Sequence, residues 1–251
     1  MVGWAVLAAG RRRGQGGLFA GARFRYRLLA MQLDIVSDTV CPWCFIGKRR
    51  LEKALAMRPD IPFKVNWRAY QLDPTVPPEG TERRAYMQRK FGASPQARSM
   101  SDALRAAGSG EGIAFNFEQI EMRPNTVDSH RLIRWAGTAG FQNEVVEQLF
   151  SAYFEQGLDI GDAGVLTMIA EKAGMDADLA GELLAGDSDR DLILREDSLA
   201  HELGISGVPT FIFANKFMLS GAQDPEAIVR VIDKVVQKLA DAEAEDEDQN
   251  A

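Results

Sequence analysis

Cysteine is almost absent: the 251 residues contain two, Cys41 and Cys44. One pair so close together cannot staple a fold, which excludes a secreted, cysteine-rich scaffold. Long apolar runs are missing as well. Arg, Lys, Asp or Gly interrupts every hydrophobic stretch short of the roughly 18 residues a spanning helix requires. Positive charge is also in deficit, and a net charge of −7 argues against nucleic acid or anionic membranes as main partners. What is present, 46% hydrophobic and 26% charged residues, is the composition of an ordinary globular chain of one or two domains.

The charge is unevenly placed. Residues 1–30 hold six Arg and no acid, residues 241–251 hold six acids and no base, and the chain between them again carries −7. In a signal peptide the positive charges precede the apolar run; here Arg11, Arg12 and Arg13 follow it. An organelle presequence is the competing reading, but the leader is poor in Ser and rich in Gly. Residues 1–30 therefore read as a disordered or non-native extension, with Met31 opening the folded chain. The acidic stretch 241–251 reads as a solvated, mobile tail.

Between these ends, Leu33 to Ser37 and Phe63 to Tyr70 alternate as strands do. Cys41 to Met57 reads as a helix, with Phe45, Ile46, Leu51, Ala54 and Leu55 on its apolar side, Lys48, Arg49, Arg50 and Glu52 on the wet side, and Pro59 ending it. Far downstream, Thr210 to Ala214, a turn at Asn215-Lys216, and Phe217 to Ser220 read as a hairpin. A helix follows, opened by Asp224-Pro225-Glu226 and striped by Ile228, Val231, Ile232, Val235, Val236 and Leu239. The interval reads helical throughout: segments at 81–91, 94–107, 128–139, 144–154, 162–173 and 189–203. The expected architecture is α/β, a βαβ unit at 31–71, a helical insertion at 72–190, and a ββα unit at 191–240.

One constellation carries specific chemistry. Cys41-Pro42-Trp43-Cys44 lies where a strand gives way to a helix, and there unpaired N–H groups and the helix dipole favour a thiolate. Cys41 is the expected nucleophile. Cys44, one turn in and facing the interior, is the expected resolving thiol, releasing a mixed disulfide formed at Cys41. Pro42 fixes the helix start and removes one donor, and Trp43 offers apolar contact surface. A CxxC pair is also half a zinc site, which His130 and His201 could complete, but these fall in separate predicted helices without a short second ligand pair; no metal is expected. An inert core pair and a structural disulfide are the other bland readings. Val208-Pro209 stands before a strand, where Pro is tolerated, and the sequence leaves its cis or trans state open.

On these residues the chain resembles the thioredoxin superfamily, within it the DsbA-like proteins with a helical insertion, and more narrowly the FrnE branch of dithiol-disulfide isomerases, kin to glutathione transferase kappa and hydroxychromene carboxylate isomerases. The resemblance spans about residues 32–240 and rests on CPWCFIGKR at 41–49, Pro124-Asn125-Thr126 with His130-Arg131-Leu132-Ile133, and GISGVPTF at 204–211. It implies a thioredoxin fold interrupted by an all-helical insertion. It also implies a cis Pro209 facing the dithiol and a Val208 backbone free to pair with an extended peptide or glutathione. The chromene- and glutathione-handling relatives carry Ser where this chain has Cys41, a departure that favours redox work. No role transfers to Asn125, Thr126 or His130, and His130 reads as a core or rim residue. Asp38 and Glu52 are the candidate proton acceptors for Cys44.

The expected function is thus a cytoplasmic thiol-disulfide oxidoreductase or isomerase acting on protein disulfides or small-molecule disulfides, with no bound cofactor and glutathione as a candidate co-substrate. Thiol- or disulfide-containing proteins are the expected partners, not nucleic acid or membrane. Two rivals stand: a glutathione-dependent isomerase or transferase for a small hydrophobic molecule, and a non-catalytic chaperone-like or metal-binding module.

Overall fold

The computed structural model describes residues 30–92 and 95–249. The expectations for residues 1–29, for the helix start at Ser94 and for the last two residues lie outside the described residues. The first strand, β1 (Met31–Ser37), leads through a short loop into α1 (Pro42–Ala56), and β2 (Phe63–Ala69) returns parallel to β1. At the other end of the described chain, β5 (Thr210–Phe213) pairs antiparallel with β1, placing Phe211 opposite Ile35. The strand β6 (Phe217–Ser220) pairs antiparallel with β5, so the sheet order is β2-β1-β5-β6.

Alternation decides which side chains go to which layer. Leu33, Ile35, Phe211 and Phe213 join Phe45, Ile46, Leu51 and Ala54 of α1, and Ile228, Ile232 and Val235 of the last helix, α9 (Pro225–Gln249), in one buried cluster. Val36 points to the opposite face, where it packs with Tyr70, Ala200 and Ile205. Two covered faces explain why the central strands β1 and β5 are so apolar, while β2 and β6 at the edges are half exposed.

Between β2 and β5 the chain builds α2 (Arg83–Phe91), α3 (Pro95–Gly110), α4 (Val127–Ala139), α5 (Gln142–Phe154), α6 (Ala163–Lys172), α7 (Ala177–Ala185) and α8 (Arg190–Glu202). Side-chain caps fix several starts: Glu82 accepts from the Arg84 and Ala85 N–H groups, Asp162 from Val165 and Asp176 from Leu179, each worth about 1 kcal/mol. Phe45 joins α1 to this region. It stacks on Phe150 at 5.2 Å and lies within 6.3 Å of Phe154 and of Phe115.

Four expectations need correction. The interval is not wholly helical, because Thr81 and Glu82 form β3, an antiparallel partner of β4 (Met122–Arg123); a two-residue ribbon is too short to show a period. The wet face of α1 is partly covered, since Lys48 is buried and its ammonium pairs with Glu52 and with Glu147 of α5. The hairpin turn sits one residue early, with Ala214 and Asn215 in the left-handed region. Finally, α9 runs to Gln249 through the acid-rich segment expected to be a mobile tail. Ala and Glu are strong helix formers, and they prevail there over acids placed at the unfavourable end of the dipole.

Candidate functional site

The site is assembled where β1 ends, α1 begins and the chain enters β5. Cys41 immediately precedes α1 in an extended conformation, Pro42 occupies the opening of the helix, and no side chain caps it. The Cys41 N–H donates to the Asp38 carbonyl at 3.0 Å, and the Cys44 N–H donates to the Cys41 carbonyl at 3.0 Å. The Cys41 thiol donates to the Val208 carbonyl at 3.6 Å, which brings together residues 167 apart in sequence. Both cysteines are free thiols. Beside them Trp43 leaves 38% of its surface in solvent, whereas Cys44 leaves 0%.

Burial pushes the Cys44 thiol well above its ordinary pKa, and the adjacent Cys41 adds to this; the Ser37 hydroxyl and the Asp38 backbone N–H at its sulfur pull the other way. Cys44 is therefore a protonated, enclosed thiol at neutral pH.

The Val208-Pro209 peptide is cis, in agreement with what the resemblance implies. Its loop is pinned on both sides: the Pro209 carbonyl accepts from the Gly221 N–H at 2.8 Å, and the Thr210 hydroxyl donates to the Gly207 carbonyl at 2.9 Å. Gly47 on α1 lets the proline come close. A Cβ there would stand 2.7 Å from Pro209 Cγ and 3.4 Å from the Phe211 ring. Sequence reasoning missed Gly47; a glycine inside an otherwise well-formed amphipathic helix was the available signal.

The two candidate proton acceptors for Cys44 separate. Glu52 is engaged with Lys48 and Arg49 on the far side of α1. Asp38 is fully buried in the β1–α1 loop, and its carboxylate is met by groups from beyond that loop. It accepts the Leu72 N–H at 2.8 Å and lies 3.9 Å from the Arg123 guanidinium and 3.7 Å from His130 Nε2. Burial alone would raise its pKa, but His130, Arg123 and the Leu72 N–H together hold it below the ordinary carboxylate value.

His130 is a buried residue of α4 whose Nε2 is 3.2 Å from the Tyr70 carbonyl. His201 lies on α8, its ring 4.6 Å from that of Tyr70 and its Nε2 3.6 Å from Asp197. The two histidines are not brought together at the thiols, and among the described residues no group of three or more His, Cys, Asp or Glu side chains is placed to hold a metal. Asn125 bridges the Val76 carbonyl and the Val127 N–H, at 2.7 and 3.0 Å. The Thr126 carbonyl receives the His130 N–H. Both residues shape the chain into α4. Among the described residues no helix is long and apolar enough to cross a membrane.

Comparison with known proteins matches residues 32–233 to the family described as the DSBA-like thioredoxin domain. The uncharacterized protein YwbO of Bacillus subtilis (strain 168) is 26% identical over 211 residues, covering 81% of this chain and 96% of that protein. Among solved structures, the probable DsbA oxidoreductase SCO1869 from Streptomyces coelicolor superposes with a TM-score of 0.74 at 30% identity, covering 81% of this chain and 89% of that one. The cytosolic disulfide reductase DsbM from Pseudomonas aeruginosa, solved with GSH, shares the fold at a TM-score of 0.59 and 16% identity, covering 82% and 99%. The chain belongs to the DSBA-like thioredoxin-domain family.

Proposed function

We propose that this member of the DSBA-like thioredoxin-domain family is a thiol-disulfide oxidoreductase or isomerase working through the Cys41-Pro42-Trp43-Cys44 dithiol. One observation carries the reading: both cysteines of the chain stand at the opening of α1, one facing the Val208-Pro209 loop and the other sealed behind it. Cys41, as thiolate, attacks a client disulfide; a bond forms between its sulfur and one client sulfur, and the other client sulfur leaves. The Cys44 sulfur then bonds to the Cys41 sulfur, the mixed disulfide breaks, and the client departs reduced. Run backwards, the same steps oxidise a client dithiol.

Trp43 supplies apolar surface beside the reacting sulfur, and the Val208 backbone supplies the edge along which an extended segment would pair. Protein disulfides and glutathione are the proposed partners, and the cytoplasm the proposed compartment. The same reading divides the chain into a thioredoxin-fold unit at 31–71 and 191–240 with an inserted unit at 72–190. Replacing Cys41 by Ser tests it: reduction of a model protein disulfide should disappear, and retention of full activity would sink the assignment.

A further inference from the structure

Helix α2 stands apart in charge. In a chain of net charge −7, its nine residues hold Arg83, Arg84, Arg89 and Lys90 and no acid. Arg83 is spent within the fold, where it donates to the Phe117 carbonyl at 3.1 Å and lies 5.6 Å over the Phe117 ring. The other three cations are exposed, as is the neighbouring Phe91. Arg89 lies 5.8 Å over the Tyr86 ring, and among the described residues neither the Arg84 nor the Arg89 guanidinium has a hydrogen bond or ion pair. Cations in the last turn suit the helix dipole, which accounts for Arg89 and Lys90. Arg84 sits in the first turn, where the dipole opposes it. The helix itself gains nothing from that charge.

Hydrogen bonds of ordinary length tie this helix to the dithiol end of the sheet. Lys90 Nζ donates to the Tyr86 hydroxyl at 2.8 Å, and that hydroxyl donates to the Asp73 carboxylate at 3.0 Å. Asp73 follows Leu72, whose N–H donates to the Asp38 side chain at 2.8 Å, and the Asp38 carbonyl takes the Cys41 N–H at 3.0 Å. Leu72 is itself exposed. The rim of the site therefore continues from an apolar spot at Leu72 to a positive strip on α2. Two acids lie close, and both are engaged: Glu82 accepts the Arg84 and Ala85 N–H groups, and Asp73 accepts from Tyr86 and Thr75. The four cations of α2 outnumber them.

We propose that α2 is a docking strip for acidic segments of client proteins: carboxylates near a client's disulfide meet Arg84, Arg89 and Lys90 while the disulfide itself faces Cys41. The inference rests on the dithiol reading above and narrows its clients to disulfides set in acidic sequence. A guanidinium with no partner of its own can take a carboxylate through two parallel hydrogen bonds. The negative charge of the whole chain repels an acidic client, so a local positive strip is the feature that admits one. Exposed charges of this kind act chiefly on the rate of encounter and on its salt dependence.

The test uses the reduced, full chain and three peptides, each closed by one disulfide and alike except that two Glu, two Ser or two Lys flank the cysteines on either side. Single-turnover rates are divided by those of the same peptides with dithiothreitol, which removes differences in the disulfides themselves. The glutamate peptide should react about tenfold faster than the lysine peptide at low ionic strength, a ratio that shrinks towards one in about 0.5 M salt. Arg84→Glu combined with Arg89→Gln suits the dipole in the first turn and keeps a good helix former in the last; it should abolish the preference. Lys238→Glu, a reversal at an exposed position of α9, should leave the ratio as in the parent. No preference in the parent, the parent's ratio in the double variant, or an equal loss in Lys238→Glu overturns the proposal. Should the double variant not fold, Arg84→Gln alone should lower the ratio, and an unchanged ratio there overturns it. Failure of the parent to reduce any of the three peptides, or full reduction by Cys41→Ser, would instead overturn the dithiol reading itself.

Discussion

Two residues separate Cys41 from Cys44, yet their surroundings have little in common. The Cys41 sulfur looks outward along the opening of α1 to the Val208 carbonyl, beside the half-exposed Trp43. The Cys44 sulfur lies in a site closed to solvent that pushes its pKa up, against the opposing pull of the Ser37 hydroxyl and the Asp38 N–H. Solvent exposure is not what distinguishes them, because Cys41 itself keeps only 5% of its surface open. The difference lies in what each sulfur touches. A helix start gives one thiol the free N–H end of the dipole, and the next turn places the other against the sheet. The proposed division of labour between an attacking and a resolving thiol rests on that geometry.

The largest test of this contrast removes each thiol in turn. Cys41→Ser should remove disulfide reduction by at least about a thousandfold, because no other thiol stands at the helix start to act as nucleophile, whereas Cys44→Ala should still attack clients and accumulate mixed disulfides visible on non-reducing gels. Next in size is the packing that holds α1 between sheet and insertion. Phe45→Ala removes a ring stacked on Phe150 and should cost about 3–5 kcal/mol in denaturant unfolding. Gly47→Ala drives a methyl towards the Pro209 ring and should cost about 1–3 kcal/mol; a stable variant with unaltered exchange rates would show that this contact does not shape the groove.

An effect of comparable size is expected in alkali. Burial pushes the Tyr153 phenol up to about 12 while its hydroxyl donates to the Met122 carbonyl at 3.2 Å. A raised pKa means the folded state holds the proton more tightly. The stabilisation is complete below the unfolded value near 10 and is lost as pH rises towards about 12, a difference of order 2–3 kcal/mol. Unfolding free energy measured against pH should fall over that window, and Tyr153→Phe should flatten the fall. Asp38 runs the opposite way: its lowered pKa contributes stability above the ordinary carboxylate range that disappears as acid protonates it.

Much of the frame was legible because the physics is local. Alternation identified β1 and β2, a strand-turn-strand signal identified β5 and β6, the apolar stripe identified α9, and a proline after a cysteine marked the opening of α1. The dithiol was legible for the same reason, being four consecutive residues. The rest of the site was not. Asp38 meets Arg123 and His130 across 85 and 92 positions of sequence, and no period or spacing encodes that meeting. Gly47 matters through a proline 162 residues away. The β3–β4 ribbon is too short for a pattern, and in the acid-rich end of α9 charge density suggested mobility while Ala and Glu supplied helix propensity.

The most direct test of the account is the mass of the reduced, full chain after reaction with one equivalent of oxidised glutathione. The account predicts transient glutathione on Cys41 alone, followed by a product lighter by two hydrogens with Cys41 and Cys44 joined and no glutathione retained. Stable glutathione on Cys44, or two thiols that stay reduced while the glutathione disulfide is left intact, would contradict it.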